Sequence, residues 1–364
     1  MFDLIVIGAG PAGASAAIRA VRSGSRVLLL EKGKFPRNKV CGEFVSAESL
    51  TLLAWLLDST AKDLLDESDR IPSFRCFSDG YSLACPLDPP AASIARFDLD
   101  SALWQAALNS GVDCREQTPV KAVNGDGPFI VISGDTTFES RTVINASGRW
   151  SSLTASVQEV TRSRRRWLGV KAHFWDPEPS PSVDLYFFDG GYCGVSPVTM
   201  RGNRRERRIN VCSMVQADVA STLSEVFDRH PLLKERSVLW RQVTDQVTTS
   251  PLIFRDPRAT EGNVLLAGDA AGFVDPFSGD GISLALRTGE LAADALHGVL
   301  TNTTSLSEAV RAYRRRYRQR FTPVFRTSSM IRPFVLTLPR VRAVSMAVFH
   351  RLPPLLRFAI RHTR

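Results

Sequence analysis

The sequence predicts a two-domain α/β fold: a parallel sheet layered with helices, joined to a second, mostly antiparallel sheet. Three observations carry that prediction. "DLIVIGAGPAGASAAIRAVRSGSRVLLLEK" opens the chain as strand, glycine turn, helix and strand. "GNVLLAGDAAGFVDPFSGDGISLALRTGELAADAL", at residues 262–296, again runs a strand into a glycine-rich helix start. Between them lie segments that alternate apolar and polar residues at the period of a strand.

Residues 4–7 form a continuous apolar, β-branched run, which suits a strand buried on both faces. Gly8, Gly10 and Gly13 follow as GxGxxG, and Ala14, Ala16, Ala17, Ile18 and Val21 continue at helical spacing until Ser23-Gly24-Ser25. Residues 27–30 are a second buried strand ending in Glu31. Gly8 permits the tight turn, Gly10 the approach of a pyrophosphate, and Gly13 close packing of helix on sheet. The helix start offers free N–H groups and partial positive charge to phosphate. Glu31, 23 positions after Gly8, stands where an acid accepts hydrogen bonds from an adenosine ribose. With strand, helix, strand and acid all in place, the motif predicts dinucleotide binding.

The second motif follows the same logic. Residues 264–267 read as a buried strand, Gly268-Asp269 lies at its carboxyl end, and a helix begins near Gly281 with Ile282, Ala285, Leu286 and Leu291 on one side. Asp269 can accept from a ribityl hydroxyl, and the N–H groups near Ser278, Gly279, Gly281 and Ile282 can face an electron-rich ring edge. Both glycine turns are expected at one edge of the sheet, where open α/β folds bind ligands.

The 364 residues suffice for one large core or two modest ones, and 44% apolar with 23% charged residues is ordinary for a globular protein. Six cysteines without a CxxC pair and five unclustered histidines argue against a disulfide framework or a metal site, so none is expected. The first strand starts too early for a signal peptide, and no apolar run approaches the roughly 18 residues of a spanning helix. A cytoplasmic location is the expectation. The net charge of +9 is uneven: residues 309–364 carry fourteen arginines and no acid, leaving −5 for the rest.

GxGxxG with a late "GDAAGFVDPFSGDGIS" resembles the FAD-dependent oxidoreductases that include aromatic hydroxylases, flavin halogenases and geranylgeranyl reductases. "FPRNKVCGEFVSAESL" (residues 35–50) and "DPFSGDGIS" are most similar to the geranylgeranyl reductases. The resemblance implies a Rossmann-like FAD-binding domain over residues 1–70, 95–160 and 260–300. A substrate domain would span 71–94 and 161–259, and a basic helical segment 301–364. The residues that would hold FAD are Gly8, Gly10, Pro11, Ala12, Gly13, Glu31, Lys32, Lys39, Val40, Cys41, Arg96, Val120, Ser147, Gly148, Gly268, Asp269, Pro276, Gly279, Gly281 and Ile282. Arg96 matches an arginine that relatives carry on the strand before a helix; the alternative is a surface arginine capping Asp98 or Asp100. In "VINASGR" Ser147 replaces the aspartate of the hydroxylases. That departure weakens the inference of hydroxylase-like handling of a pyridine nucleotide.

The intervening segments include "IPSFRCFSDGYSLACPL", turning at Asp79-Gly80, "WLGVKAHFW", "SVDLYFFDGGYCGVSPV", turning at Gly190-Gly191, and "RRINVCSMV". They predict a sheet over the flavin, with Phe174, Tyr186, Phe188 and Tyr192 as an aromatic wall toward the substrate. In geranylgeranyl reductases the strand matching "GGYCGVSPV" carries an aromatic motif ending in Phe-Pro. Gly194 and Ser196 replace its tryptophan and phenylalanine here, which argues against a geranylgeranyl chain. Cys41 is the candidate catalytic side chain, against the alternative of an inert buried thiol. Lys171 and His173 share one strand face and can assist proton transfer.

Three functions compete for a hydrophobic substrate of polyketide, phenolic or isoprenoid type. One is monooxygenation with NAD(P)H as reductant and O2, slightly favoured because the reductase aromatic motif is missing. The others are saturation of a carbon–carbon double bond and a non-redox role with structural FAD. Halogenation is disfavoured, since neither the tryptophan-rich motif nor the lysine-bearing segment of halogenases is evident. The tail "AYRRRYRQRF" and beyond, divided by Pro333, Pro339, Pro353 and Pro354, reads as short helices that cap the cofactor domain or adsorb to the inner face of an anionic membrane. No nucleic-acid recognition motif accompanies the basic residues. A monomer or a homodimer is expected.

Overall fold

The structure is a computed structural model that describes residues 1–149, 153, 166–202, 206–249, 252, 254, 256–336 and 339–352. Strands and helices are numbered along the chain. The first sheet comprises β1 (Phe2–Ile7), β2 (Val27–Leu30), β6 (Asp113–Arg115), β7 (Ala122–Asn124), β8 (Phe129–Ser133), β9 (Thr136–Asn145), β16 (Thr260–Glu261) and β17 (Val264–Leu266). Its order is β16-β17-β9-β1-β2-β6, parallel from β17 to β6, with β7 and β8 as an antiparallel excursion from β9.

The continuous apolar run of β1 is explained by two faces. Leu4 and Val6 join Leu29 under the helices, whereas Ile5 and Ile7 join Leu28 and Leu30 against Phe129 and Val131 of the excursion and Phe138 of β9. The helical layer includes α1 (Pro11–Arg22), α2 (Leu50–Leu57), α3 (Lys62–Asp66) and α4 (Arg96–Asn109). Gly13 is there for proximity, since a Cβ at that position would lie 1.8 Å from the Gly8 carbonyl oxygen.

The second sheet comprises β3 (Phe44–Val45), β4 (Asp69–Ser78), β5 (Tyr81–Ser93), β10 (Trp167–Trp175), β11 (Ser182–Phe188), β12 (Gly191–Pro197), β13 (Arg208–Gln216), β14 (Arg241–Gln242) and β15 (Val247–Thr249). The order is β14-β10-β13-β12-β11-β4-β5-β3, with β15 also on β10; every pair is antiparallel except β4 with β11. Asp79 and Gly80 turn the β4–β5 hairpin with positive φ at both. The β11–β12 turn is Asp189-Gly190, one residue earlier than expected, because Gly191 already pairs with Phe188. Phe44 and Val45 also depart from the expected cofactor-domain range, pairing with β5 of the second sheet. The far face of this sheet is covered by α5 (Leu223–Phe227) and α6 (Pro231–Ser237).

After β17 come α7 (Gly281–Leu300), α8 (Leu306–Arg320), α9 (Thr322–Leu336) and α10 (Pro339–Arg351). A Cβ at Gly289 of α7 would lie 2.1 Å from the Ala12 carbonyl oxygen, so that glycine lets α7 pack directly on α1. α8 buries Tyr313, whose hydroxyl donates to the Leu266 carbonyl at 2.6 Å. α10 instead packs on β4 and β5, so the basic tail bridges both sheets. Contrary to expectation, α9 runs through Pro333, so that proline lies within a helix rather than dividing two. Pro353 and Pro354 fall outside the described residues.

Candidate functional site

The carboxyl ends of β1, β9 and β17 and the amino ends of α1 and α7 converge on a cavity of about 1090 Å³, which continues beneath the second sheet. That volume lies at the upper limit of small-molecule sites, roughly 300–1,000 Å³. All the predicted cofactor-holding residues line it except Gly13, whose role is the packing described above.

At one end Gly8, Gly10, Pro11 and Ala12 form the wall with Glu31. Gly10 precedes α1 without a side-chain cap, and Asp280 likewise precedes α7, so backbone donors at both helix starts remain available to a ligand. A Cβ on Gly10, Gly148 or Gly281 would meet nothing within 4 Å, the open cradle that a cofactor's pyrophosphate and ring need. Glu31 is buried and accepts from Ala9 N and Gly33 N, each at 2.9 Å, and from Arg37 at 2.6 and 3.1 Å. Burial would raise its pKa, but Arg37 and the backbone donors outweigh burial and hold it below the ordinary value. The four acceptor positions of the carboxylate are thereby taken, so a ribose hydroxyl donates to Glu31 only in place of Arg37.

In the middle of the cavity, Ser147 donates from N and Oγ to Asn145 Oδ1 at 3.1 and 2.5 Å. Asp269 is within 3.3 Å of Arg149 Nε, and the same guanidinium lies 4.1 Å from the centre of the Phe273 ring. Arg149 lines the cavity and was not anticipated by sequence. Arg96 proves to be the first residue of α4 rather than part of the preceding strand, and it is buried rather than superficial. It forms a two-pronged ion pair with Asp100, both contacts at 2.7 Å, and lies near Cys41. The capping partner and the cavity contact, weighed above as alternatives, therefore coexist.

The far arm of the cavity is apolar. Leu185, Phe187 and Tyr192 project into it with Cys76, Met214 and Met346. Of the four aromatic residues expected there, only Tyr192 lines it. Phe174, Tyr186 and Phe188 sit on the opposite face of the sheet, in the core beneath α5 and α6. Side chains alternate across a strand, so a one-residue error of phase exchanges Phe187 for its neighbours. Phe187 and Tyr192 are cross-strand partners with ring centres 5.6 Å apart. Burial pushes the Tyr192 phenol well up and the Cys212 thiol to about 12, so both remain protonated at neutral pH.

α9 and α10 close this arm. Arg332 of α9 binds Asp275 at 2.6 and 2.8 Å, and Arg342 of α10 binds Asp79 at 2.7 and 3.0 Å and Asp189 at 2.8 Å. The two hairpin tips of the second sheet thus hold the tail over the cavity.

Sequence reasoning also missed Glu43. It lies fully buried beside Cys41, receives Lys171 Nζ and faces His173 Nε2 at 2.7 Å. The available signal was a carboxylate beside the Cys-Gly pair together with two cations on one strand face.

These residues fit FAD: a cradle without side chains at two helix starts, an acid at the end of β2, and an apolar continuation. A family model described as FAD binding domain matches residues 1–328. The menaquinone reductase of Mycolicibacterium smegmatis is 27% identical, over 99% of this chain and 90% of that protein. Digeranylgeranylglycerophospholipid reductase 2 of Methanopyrus kandleri is 25% identical, over 89% of this chain and 84% of that protein. Among solved structures, the myxobacterial chondrochloren halogenase CndH shares the fold with a TM-score of 0.78 at 21% identity, covering 100% of this chain and 90% of that one. The chain belongs to the FAD-binding domain family and is an FAD-dependent oxidoreductase.

Proposed function

We propose that this enzyme saturates a carbon–carbon double bond in a long lipophilic molecule of isoprenoid type, with NAD(P)H as reductant. The observation that carries the reading is the apolar arm of the cavity, walled by Leu185, Phe187 and Tyr192 and closed by α9 and α10. It suits an extended hydrocarbon better than a phenol, because the guanidinium that reaches it, Arg342, is already paired with Asp79 and Asp189. The two reductases named above, each aligned over most of its length, support this choice over oxygenation.

When bound, FAD supplies hydride transfer. Glycine N–H groups at the starts of α1 and α7 would hold it, with Glu31 at the adenosine end and Asp269 beside the middle of the cavity. The protein's own task is to orient the chain, exclude water and supply a proton. Cys41 and Tyr192 line the cavity with protic groups, and the Tyr192 phenol is kept protonated by its burial.

The reading extends to how the substrate arrives. Met330, Val344 and Val348 line the cavity and are also exposed, by 68%, 65% and 41%, so they form its apolar mouth. They belong to the arginine-rich tail, and among the described residues no helix is long and apolar enough to cross a membrane. We infer that this mouth rests on an anionic bilayer, into which apolar residues insert while basic ones contribute roughly 1 kcal/mol each.

The test is single turnover without oxygen. Enzyme reduced by NAD(P)H is mixed with polyprenyl quinones and unsaturated isoprenoid lipids, and products are read by mass spectrometry. Gain of two hydrogens without oxygen is expected. Gain of an oxygen atom, only when oxygen is admitted, would overturn the proposal in favour of monooxygenation.

A further inference from the structure

Residues 41–46 cross from the cavity to the second sheet and are pinned from several directions. Glu43 has a φ of 57°, a left-handed conformation uncommon for a residue with a side chain. Its carboxylate is fully buried: Oε1 accepts from Lys171 Nζ and from Arg96 N (2.7 Å), and Oε2 faces His173 Nε2. Its backbone N–H donates to Cys41 Sγ at 3.3 Å and its carbonyl accepts from Ile94 N at 2.9 Å. The Cys41 carbonyl accepts from Asn210 Nδ2 at 3.1 Å.

The partners share an origin. Lys171 pairs in register with Cys212, and His173 with Asn210, so these four project from one face of adjacent strands β10 and β13. That face meets the Cys41 loop. His173 Nδ1 is buried without a partner among the described residues, so the ring bears a cost that its bond to Glu43 offsets. Buried ion pairs contribute little to stability compared with apolar side chains of similar volume. Such a cluster, two residues from a thiol that lines the cavity, therefore calls for a role beyond holding the fold.

We infer that Glu43, fixed by Lys171 and His173, is a positioning residue that presents the Cys41 thiol to the substrate as proton donor. The identity of the reaction rests on the double-bond reading above; the placement of the thiol does not. The Cys41 S–H bond breaks as its proton passes to one carbon of the double bond, while the accompanying hydride, from NAD(P)H by way of the cofactor, goes to the other. The thiolate is left beside the Glu43 N–H and near the Arg96 guanidinium, and water reprotonates it.

The test begins with no substrate. FAD-loaded wild type, Glu43→Gln and His173→Gln are treated with iodoacetamide, and the labelling rate of each cysteine is mapped by peptide mass spectrometry. Cys41 should change by about tenfold in Glu43→Gln, while Cys114 on β6 keeps its rate. In turnover, Glu43→Gln should lower kcat with little change in KM, and this effect should vanish in a Cys41→Ser background. If Glu43→Gln does not fold, His173→Gln, which removes one bond to the carboxylate, carries the same comparison. Unchanged Cys41 labelling, or full additivity with Cys41→Ser, overturns the inference. A labelling shift without any saturated product overturns the reaction and upholds the placement of the thiol.

Discussion

Lys171→Met should be among the most damaging single substitutions outside the apolar core. In the intact protein, burial would raise the Glu43 pKa, but Lys171 and then His173 outweigh it and bring the carboxyl down to about 2. A group that titrates at about 2 folded and 4.5 unfolded contributes about 3 kcal/mol of stability at neutral pH. Because the folded value is the lower one, that contribution is complete above pH 4.5 and is lost as pH falls toward 2. Lys171→Met removes the largest counterweight and leaves a buried carboxylate beside His173, Asp98, Cys212 and the Arg96 N–H. The expected loss at pH 7 is about 3–5 kcal/mol, the cost of breaking a buried pair. Burial then dominates and the folded pKa of Glu43 moves above its unfolded value. The loss should therefore shrink as the solution is acidified and Glu43 takes up a proton. Replacing both partners, Glu43→Gln with Lys171→Met, should recover most of the stability. The assay is guanidinium denaturation followed by circular dichroism at fixed free FAD, from pH 7 to pH 4.5. A loss below about 1 kcal/mol at pH 7, the range of an exposed surface pair, would refute the reasoning. So would a double variant no more stable than Lys171→Met.

Gly10→Val should fold yet bind FAD weakly by fluorescence titration, because its Cβ enters the open cradle. Gly13→Ala should fail to fold, because its Cβ meets the Gly8 carbonyl oxygen at 1.8 Å. Phe188→Ala, in the core under α5 and α6, should cost about 3–5 kcal/mol in denaturation. Phe187→Ala should instead change which chain lengths are turned over, read as KM across a series of isoprenoids; the same KM series from both variants would contradict the assigned faces. In flotation with anionic vesicles, the protein should bind and be released by salt, and replacing Met330, Val344 and Val348 with serine should abolish binding while FAD content is kept. Equal flotation of that variant would place the contact elsewhere.

What sequence alone determined is what consecutive residues encode. The GxGxxG turn, the acid 23 residues after Gly8 and the strand that runs into Gly268-Asp269 are local patterns of hydrogen bonding and sterics, and they picked out residues that line the cavity. The excess of arginine in the tail was equally legible, as a count. Tertiary structure decided which face of each strand turns inward. Period-two alternation marks Phe187 and Phe188 alike as strand residues, and only pairing with β12 and β4, with the layers packed on each side, puts Phe187 in the cavity. Tertiary structure also decided the charge pairs. Glu43 meets a lysine 128 positions away, Arg149 meets Asp269, and Arg342 joins two hairpin tips that are remote from it in the chain. No local pattern announces such a pair, because its favourable energy appears only when folding removes both charges from water and sets them within hydrogen-bonding distance.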